Sequence, residues 1–250
     1  MTSTELRFSE AELRLFARLH SYGYAPSVIY DIGASNGMWS QLISGVFPSA
    51  QYHLFEPLAD TLENYSQSLG PILGQHPNFQ LHKIGLGDQN RHQDMAIFGG
   101  GFGSTFLETD RIKQSIDSLK KSSGLHDVAS FPVRRLDDYA REKMLPKPQI
   151  VKMDTQGFEV AIVEGGRETI RSADILLLET WLYRGYGATT PLLHELMDKV
   201  DALGFVLVDF GDIFWARKHK LTSVDAFFMR ESFLDEMEAS TNGWDWRVWE

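Results

Sequence analysis

Short apolar segments alternate with amphipathic segments along most of this chain. Apolar runs of strand length occur at Val28–Ile32, Gln51–Glu56, Phe79–Gly85, Gln149–Asp154 and Ala173–Thr180. The segment after the first run carries apolar residues at helical spacing: Trp39, Leu42, Ile43 and Val46. Alternating strands and helices are typical of a parallel sheet covered by helices on both faces. The pattern therefore predicts a doubly wound, mostly parallel α/β fold.

Capping and turn residues predict where several helices begin and end. Ser9-Glu-Ala-Glu12 has the form of a capping box and predicts a helix carrying Leu13 and Phe16. The stripe from Leu58 to Leu69 predicts another helix, which Gly70-Pro71 is expected to end. Thr190-Pro191 suits the start of a helix, as N-cap and first helical residue. After it, Phe205–Phe210 and Asp225–Arg230 predict an antiparallel pair at the sheet edge.

The alternation is interrupted between Gly87 and Pro148. This stretch holds a candidate strand at Asp94–Phe98, a glycine cluster at Gly99–Gly103 and another candidate strand at Phe131–Arg135. A long insertion in a compact domain is usually a binding loop or a disordered segment, and we favour a lid. We expect one domain over residues 1–250, with an N-terminal helical segment at 1–25 and an insertion at 88–148.

Composition narrows the class of protein. The 250 residues carry a net charge of −10 and no cysteine, which excludes disulfides and thiolate chemistry and disfavours nucleic-acid or anionic-membrane partners. No apolar run is long enough for a membrane span, and the first residues lack a signal sequence, so we expect a cytoplasmic location. We assign Arg217-Lys-His-Lys220 to a solvated loop. The pattern leaves open whether Trp244, Trp246 and Trp249 dock on the protein or form an interface, for example in a homo-oligomer.

A glycine-rich turn follows the first predicted strand. Gly33 and Gly37 let the backbone turn tightly, and the next helix offers free N–H groups to a ligand. The spacing G-x-x-x-G differs from the G-x-G-x-x-G of dinucleotide sites, and no Walker lysine is present. A carboxylate at Asp31 opposes a pyrophosphate and suits a ligand with an amino group, which favours S-adenosylmethionine. The predicted contact residues here are Asp31, Gly33, Ala34, Ser35, Asn36 and Gly37.

Acidic residues after the next two strands complete a predicted nucleoside site. Glu56, followed by Pro57, ends the second strand and is placed to accept hydrogen bonds from both ribose hydroxyls. Its alternative role is that of an acid near a helix N-terminus. After the third strand, Gly85, Leu86 and Asp88 are placed to border the adenine.

These motifs together resemble the FkbM family of S-adenosylmethionine-dependent methyltransferases. The matching segments are Asp31–Gly37, Phe55–Pro57, Leu86–Asp88, Gly103–Thr105, Arg135–Asp138, Lys152–Glu159 and Glu164–Gly166. The resemblance implies a seven-stranded Rossmann-like methyltransferase sheet with an antiparallel edge strand. It also implies an O-methyltransferase acting on a hydroxyl of a sugar, natural product or other small molecule. The family usually has asparagine where this chain has Ser35, a conservative difference.

Two carboxylates are candidate general bases for an alcohol acceptor. Asp154 ends the fourth core strand and Glu179 ends the fifth, so both should face the cofactor pocket. In one alternative, Asp154 or Glu179 removes the proton of the acceptor hydroxyl. In the other, the two carboxylates share a divalent cation, although we do not predict a metal site. Lys152 lies on the same strand face as Asp154 and is expected to pair with it. The alternatives are helix capping for Asp154 and an ion pair with Arg184 for Glu179.

The remaining candidates concern the acceptor and the inner wall of the pocket. Ser104 is expected to contact the cofactor or fold the insertion onto it. Aromatic residues after the fifth strand suit stacking against a ring. The predicted acceptor residues are Gln156, Tyr183, Arg184, Tyr186 and, in the insertion, His126. His194 is interpreted as a surface or packing histidine.

Three other functions are alternatives to methyl transfer to oxygen. N-methylation of nucleic acids needs an Asn/Asp-Pro-Pro-aromatic motif, but Asp154-Thr-Gln-Gly157 stands in its place. A non-catalytic binding module would have lost a cofactor carboxylate, whereas Asp31 and Glu56 are both present. An NAD-linked dehydrogenase is disfavoured by the glycine spacing.

Overall fold

A computed structural model describes residues 10–107, 125–216 and 220–240. The strands in these ranges are β1 (Val28–Ile32), β2 (Gln51–Phe55), β3 (Phe79–His82), β4 (Gly85–Gly87), β5 (Arg91–Phe98), β6 (Leu125–Arg135), β7 (Ile150–Met153), β8 (Ile175–Trp181), β9 (Phe205–Ala216) and β10 (Lys220–Arg230). The helices are α1 (Glu10–Ser21), α2 (Met38–Ser44), α3 (Glu63–Gln75), α4 (Leu136–Glu142), α5 (Glu159–Gly165), α6 (Arg167–Arg171), α7 (Leu193–Asp201) and α8 (Glu231–Ser240). Ser9, Arg217–His219 and the three C-terminal tryptophans of the sequence predictions lie outside the described residues.

The main sheet has seven strands in the order β3-β2-β1-β7-β8-β10-β9. All neighbours from β3 to β8 are parallel, whereas β10 runs antiparallel to both β8 and β9. The order reverses at β1, whose two neighbours are β2 and β7. This arrangement confirms the doubly wound, mostly parallel fold with an antiparallel pair at its edge. It also fixes where a ligand would bind, because the crevice of such a sheet opens beside the strand at which the order reverses.

The predicted third strand is two strands in different sheets. Phe79–His82 joins β2, and the chain then turns so that Gly85–Gly87 pairs with β6 in a separate three-stranded sheet of order β4-β6-β5. Close packing explains the glycines, because a Cβ at Gly85 would lie 2.8 Å from the ring of Phe106. The described part of the 88–148 insertion is therefore largely sheet and helix, and a lid role remains a prediction.

Two predicted helix ends were wrong. Helix α3 continues through Gly70-Pro71 to Gln75, because proline removes only one backbone bond while Leu69 and Ile72 are buried against the core. Helix α7 begins at Leu193 rather than at Pro191. Thr190 lies instead in the preceding turn, where its hydroxyl accepts a hydrogen bond from the Tyr186 N–H and donates to the Gly187 carbonyl.

Aromatic packing closes one side of the sheet near the predicted site. Phe16 of α1 makes edge-to-face contacts with Trp39, Phe47 and Phe227. These contacts hold α1 against α2 and the β10 end of the sheet. In the described ranges, no helix combines the length and the apolarity that a bilayer crossing requires.

Candidate active site

A cleft of about 640 Å³ opens at the carboxyl ends of the central strands. Its walls come from the turn after β1, the end of β2, strand β4, the glycine cluster after β5 and the turn after β7. The predicted site residues that line it are Gly33, Ser35, Glu56, Pro57, Gly85, Leu86, Ser104, Asp154 and Gln156. Motifs more than 100 residues apart in the chain thus meet around one cavity.

The glycine turn brings the β1 and β7 ends of the cleft into contact. Gly33 has a φ of 76°, and a Cβ on it would lie 2.0 Å from the backbone oxygen of Asp154. Any other residue would therefore push the two turns apart. Ser35, also on the cleft wall, has a left-handed φ of 51°. The turn places Asp154 directly beside the predicted cofactor loop.

Gly37, the second glycine of the motif, allows helix α3 to pack closely against the turn. Gly37 has a φ of 81°, and a Cβ there would lie 2.9 Å from the Leu69 side chain on α3. Asn36 accepts a hydrogen bond from the Met38 N–H through its side chain. Ala34, Asn36 and Gly37 are not among the residues that line the cleft, and their contacts with a ligand stay predictions.

Glu56 is buried on the cleft wall with both oxygens held by backbone groups. Oε2 accepts a hydrogen bond from the Ser35 N–H at 2.8 Å, and Oε1 accepts one from the Leu58 N–H at 2.9 Å. Burial raises the pKa of Glu56 to about 7, against these two hydrogen bonds, which lower it. Each carboxylate oxygen still has a free lone pair, so Glu56 can accept one further hydrogen bond from a hydroxyl group at each oxygen.

Asp31 lies behind the cleft and already has a cationic partner. The side chain is fully buried; Oδ1 lies 3.1 Å from Lys152 Nζ, and Oδ2 accepts a hydrogen bond from the Ser40 hydroxyl. Lys152 Nζ also donates to the Gly33 carbonyl at 3.0 Å. Lys152 therefore balances the charge of Asp31, and the pair supports the glycine turn. The contact of Asp31 with a ligand amino group stays a prediction.

The predicted adenine side is mainly apolar. Gly85 and Leu86 line it, but Asp88 does not, because its carboxylate lies 3.5 Å from Arg91 in the turn after β4. Sequence reasoning missed a group of apolar lining residues that belong to four separate segments: Phe55, Met95, Phe106, Phe158 and Ile162. Nothing in their spacing along the chain distinguishes a cleft wall from a core.

The two candidate bases are joined by one amide. Gln156 Nε2 donates to Asp154 Oδ1 at 2.8 Å and to Glu179 Oε2 at 2.9 Å. Gln156 Oε1 accepts a hydrogen bond from the Tyr186 hydroxyl at 2.6 Å, and its φ is 57°. Positive φ in a non-glycine residue is costly and is concentrated at functional sites. The structure therefore brings the predicted residues Asp154, Gln156, Glu179 and Tyr186 into one network.

The surroundings of the two carboxylates differ. The Asp154 side chain is 43% exposed and its Oδ2 lies 3.9 Å from Lys152 Nζ. Glu179 is buried, and its Oε1 accepts a hydrogen bond from the Ser223 hydroxyl. Burial raises the pKa of Glu179 well above its ordinary value, and the negative charges of Asp154, Glu159 and Asp225 raise it further.

Two other predicted acceptor residues, Tyr183 and Arg184, do not line the cleft. The guanidinium of Arg184 is bound by Glu195 and the Thr190 carbonyl, which also rules out its proposed pairing with Glu179. The Lys220 ammonium lies over the Tyr183 ring, 3.9 Å from the ring centre. His126 falls on β6, and its side chain lies outside the described residues.

After β5, the segment Gly101–Ser104 runs along the wall of the cleft, and we call it the strap. Gly101 lies over Tyr65, where a Cβ would be 2.4 Å from the tyrosine hydroxyl oxygen. The Tyr186 hydroxyl, whose single hydrogen is directed at Gln156 Oε1, lies 2.9 Å from the Gly103 carbonyl oxygen. The Thr105 hydroxyl donates to the Gln156 carbonyl. The Ser104 hydroxyl accepts a bond from the Phe98 N–H and thereby shapes the strap. Glycine alone permits this close approach.

A second group of acids lies beyond Glu179. Among the described residues, Glu12, Asp212 and Asp225 bring one oxygen each within 4.8 Å of one another. Glu12 also accepts a hydrogen bond from the Trp39 indole at 2.6 Å, and burial raises the pKa of Glu12 to about 7. The capping-box pattern had assigned Glu12 to the start of α1, so sequence reasoning missed its burial.

Comparison with known proteins identifies related chains. The family model of the methyltransferase FkbM domain matches residues 31–207. The chain is 26% identical over 155 residues to the 2-O-methyltransferase NoeI of Sinorhizobium fredii, covering 61% of this chain and 62% of that protein. It is also 26% identical over 156 residues to Methyltransferase 1 of Beauveria bassiana, covering 58% and 61%. The matched region thus spans about three fifths of the length of these relatives.

A solved structure is also similar to part of this chain. The FkbM methyltransferase of Methylobacillus flagellatus aligns with 82% of this chain and 43% of its own, at 15% identity and a TM-score of 0.47.

Proposed function

The chain belongs to the FkbM family of methyltransferase domains, and from this premise we propose that it is an S-adenosylmethionine-dependent O-methyltransferase. Its acceptor would be a hydroxyl group of a sugar, natural product or other small molecule. The relative NoeI is named a 2-O-methyltransferase, which supports oxygen as the acceptor atom. One apolar core extends from Leu15 to Met237, which supports a single methyltransferase domain over the described residues.

The observation that carries the proposal is that Glu56 and Asp154 face one cleft across the Gly33 turn. Glu56 has free lone pairs for a ribose diol and lies at the carboxyl end of the second strand in the sheet. The apolar wall that includes Leu86, Met95 and Phe106 suits a planar base. The residues present therefore fit the nucleoside part of S-adenosylmethionine.

When bound, S-adenosylmethionine supplies an electrophilic methyl group on a sulfonium. The chain's own residues then have three tasks. Asp154 or Glu179 takes the proton of the acceptor hydroxyl, which makes the oxygen a better nucleophile. The apolar wall and the strap at Gly101–Ser104 exclude water from the reacting groups. The Asp31–Lys152 pair holds the Gly33 turn in place.

The test is binding followed by an acceptor screen. Titration calorimetry should show binding of S-adenosylmethionine and S-adenosylhomocysteine and no binding of NAD. The enzyme is then incubated with methyl-labelled cofactor and pools of hydroxylated sugars, amines and carboxylic acids. Label transferred to a hydroxyl supports the proposal. Binding of NAD alone would contradict the cofactor, label on an amine would contradict the acceptor class, and binding without transfer to any pool would favour a non-catalytic module.

A further inference from the structure

The two carboxylates joined by Gln156 have opposite electrostatic surroundings. Asp154 is partly exposed to the cleft and has the Lys152 ammonium 3.9 Å away. Lys152 is fixed in position, because Asp31 and the Gly33 carbonyl hold the same nitrogen at 3.1 and 3.0 Å. A cation at this distance is attracted to a carboxylate. Asp154 therefore has both access to the acceptor and a counter-charge.

Glu179 has neither advantage. Within residues 10–107, 125–216 and 220–240, no lysine or arginine forms an ion pair with it, since Arg184 is held by Glu195. The groups that face it are acidic or neutral: Asp154 and Glu159 near β7, Asp225 and Ser223 on β10, and Tyr186. Glu12 and Asp212 add negative charge behind Asp225. A buried carboxyl group among so many acids is more stable in its protonated form.

The orientation of Gln156 is fixed by its other contacts. Its Oε1 accepts a hydrogen bond from Tyr186, and its backbone oxygen accepts one from Thr105. Its Nε2 therefore faces the two carboxyl groups and donates one hydrogen to each. These two bonds hold the groups at a set separation without supplying a positive charge.

We propose that Asp154 is the catalytic base, that Glu179 is a neutral positioning residue, and that Lys152 and Gln156 enforce this division. The assignment rests on the proposed methyl transfer to a hydroxyl. In the proton step, the O–H bond of the acceptor breaks, the proton moves to a carboxylate oxygen of Asp154, and the electron pair remains on the acceptor oxygen. Glu179 keeps its proton throughout on Oε1, the oxygen beside the Ser223 hydroxyl, while Oε2 accepts from Gln156 and holds it against Asp154.

Infrared spectroscopy in D₂O tests the protonation states without any acceptor. The carbonyl stretch of a protonated carboxyl group is separate from the carboxylate bands. At pH 7, the spectrum of the wild type minus that of Glu179→Gln should show one protonated carboxyl band, because the other buried acids cancel. No such band in the difference spectrum would overturn the neutral state of Glu179, whether or not the protein is a methyltransferase.

A second variant tests the role of Lys152. Lys152→Met alone leaves Asp31 unpaired and is expected to fold poorly, so the double variant Asp31→Asn/Lys152→Met is used. We expect this double variant to fold and to turn over more slowly than the wild type, because Asp154 loses the ammonium 3.9 Å away and the Gly33 carbonyl loses its donor. Turnover equal to that of the wild type would show that Lys152 does not support Asp154.

Turnover then separates the two carboxyl groups. With an acceptor from the screen, Asp154→Asn should lower kcat by ~100-fold or more, the range for a lost general base. Glu179→Gln replaces a neutral acid by a neutral amide and should retain at least ~10-fold more turnover than Asp154→Asn. The reverse order would overturn the assignment. Failure of the whole methyltransferase proposal would instead appear as absent cofactor binding in the wild type.

Discussion

Lys152 Nζ lies 3.1 Å from Asp31 Oδ1, and both side chains are buried behind the glycine turn. Burial opposes the charge of Lys152, but the Asp31 carboxylate and then Asp154 raise the pKa of Lys152 above its ordinary value. Removal of one member of a buried pair leaves an uncompensated charge, which costs about 3–5 kcal/mol. The pair, whose Lys152 also donates to the Gly33 carbonyl, therefore contributes to the stability of the turn.

We expect Lys152→Met to lower the free energy of unfolding by about 3–5 kcal/mol, and Asp31→Asn/Lys152→Met to recover most of the loss. Urea unfolding of both variants measures this. The exposed pair of Lys83 and Asp60 provides the control, since Lys83→Met should cost less than about 1 kcal/mol. Equal losses in the single and double variants would mean that the ion pair is unimportant.

Glu56→Ala should weaken binding of S-adenosylmethionine and S-adenosylhomocysteine by roughly 10- to 100-fold. A hydrogen bond to a charged acceptor contributes about 1.5–3 kcal/mol, and the variant also frees the Ser35 and Leu58 N–H groups. Titration calorimetry gives the two dissociation constants. The surface variant Glu168→Ala should bind like the wild type. Unchanged binding by Glu56→Ala would remove this residue from the ribose role.

Gly33→Ala tests the contact between the glycine turn and Asp154. Its Cβ would lie 2.0 Å from the Asp154 backbone oxygen, so one of the two turns must move. Gly204→Ala is the matched control, because Gly204 has a similar φ of 87° but no atom within 4 Å of the added carbon. We expect Gly33→Ala to lose at least about 2 kcal/mol more in urea unfolding than Gly204→Ala, as severe overpacking does, and to lose cofactor affinity. Similar losses would disprove the close approach.

Histidine protonation should destabilise the protein in acid. His82 is buried, with Nε2 3.0 Å from His53 Nδ1 and Nδ1 3.2 Å from the Tyr139 hydroxyl. Burial, with His53 and Lys143, lowers the pKa of His82 to about 4. The unfolded chain, with an ordinary value near 6.5, binds this proton first. The contribution to stability is therefore complete above about pH 6.5 and is lost as the pH falls toward 4.

Urea unfolding between pH 7 and pH 4 measures this effect as a difference between variants. Over that range, the wild type should lose about 2–3 kcal/mol more than His82→Phe, which keeps a ring beside Phe55. The comparison matters because Glu12 and Glu56, whose pKa values are raised to about 7, contribute pH dependence of opposite sign in both proteins. His92→Phe, an exposed replacement, should behave like the wild type. Parallel curves for the wild type and His82→Phe would refute the prediction.

Periodicity and turn chemistry predicted the sheet because these signals are local. The strand at Val28–Ile32 is buried along its whole length, and the antiparallel pair at the edge was recognised from two apolar runs. The break between His82 and Gly85 was not visible, since both parts are apolar and only pairing with β6 separates them. The helix across Gly70-Pro71 was missed because burial of neighbouring residues outweighs the local cost of proline.

The sequence by itself determined the class of fold and the chain segments that carry the chemistry, because strand ends and glycine turns are written in neighbouring residues. Only the tertiary structure decided which charges neutralise one another. Asp31 precedes Lys152 by more than 100 residues, yet the fold brings the two side chains together as a buried ion pair. Asp154 and Glu179 look alike along the chain, and they differ only because the folded protein gives one a cation and the other a set of acids. Electrostatic energies depend on distance and burial, which sequence spacing does not specify.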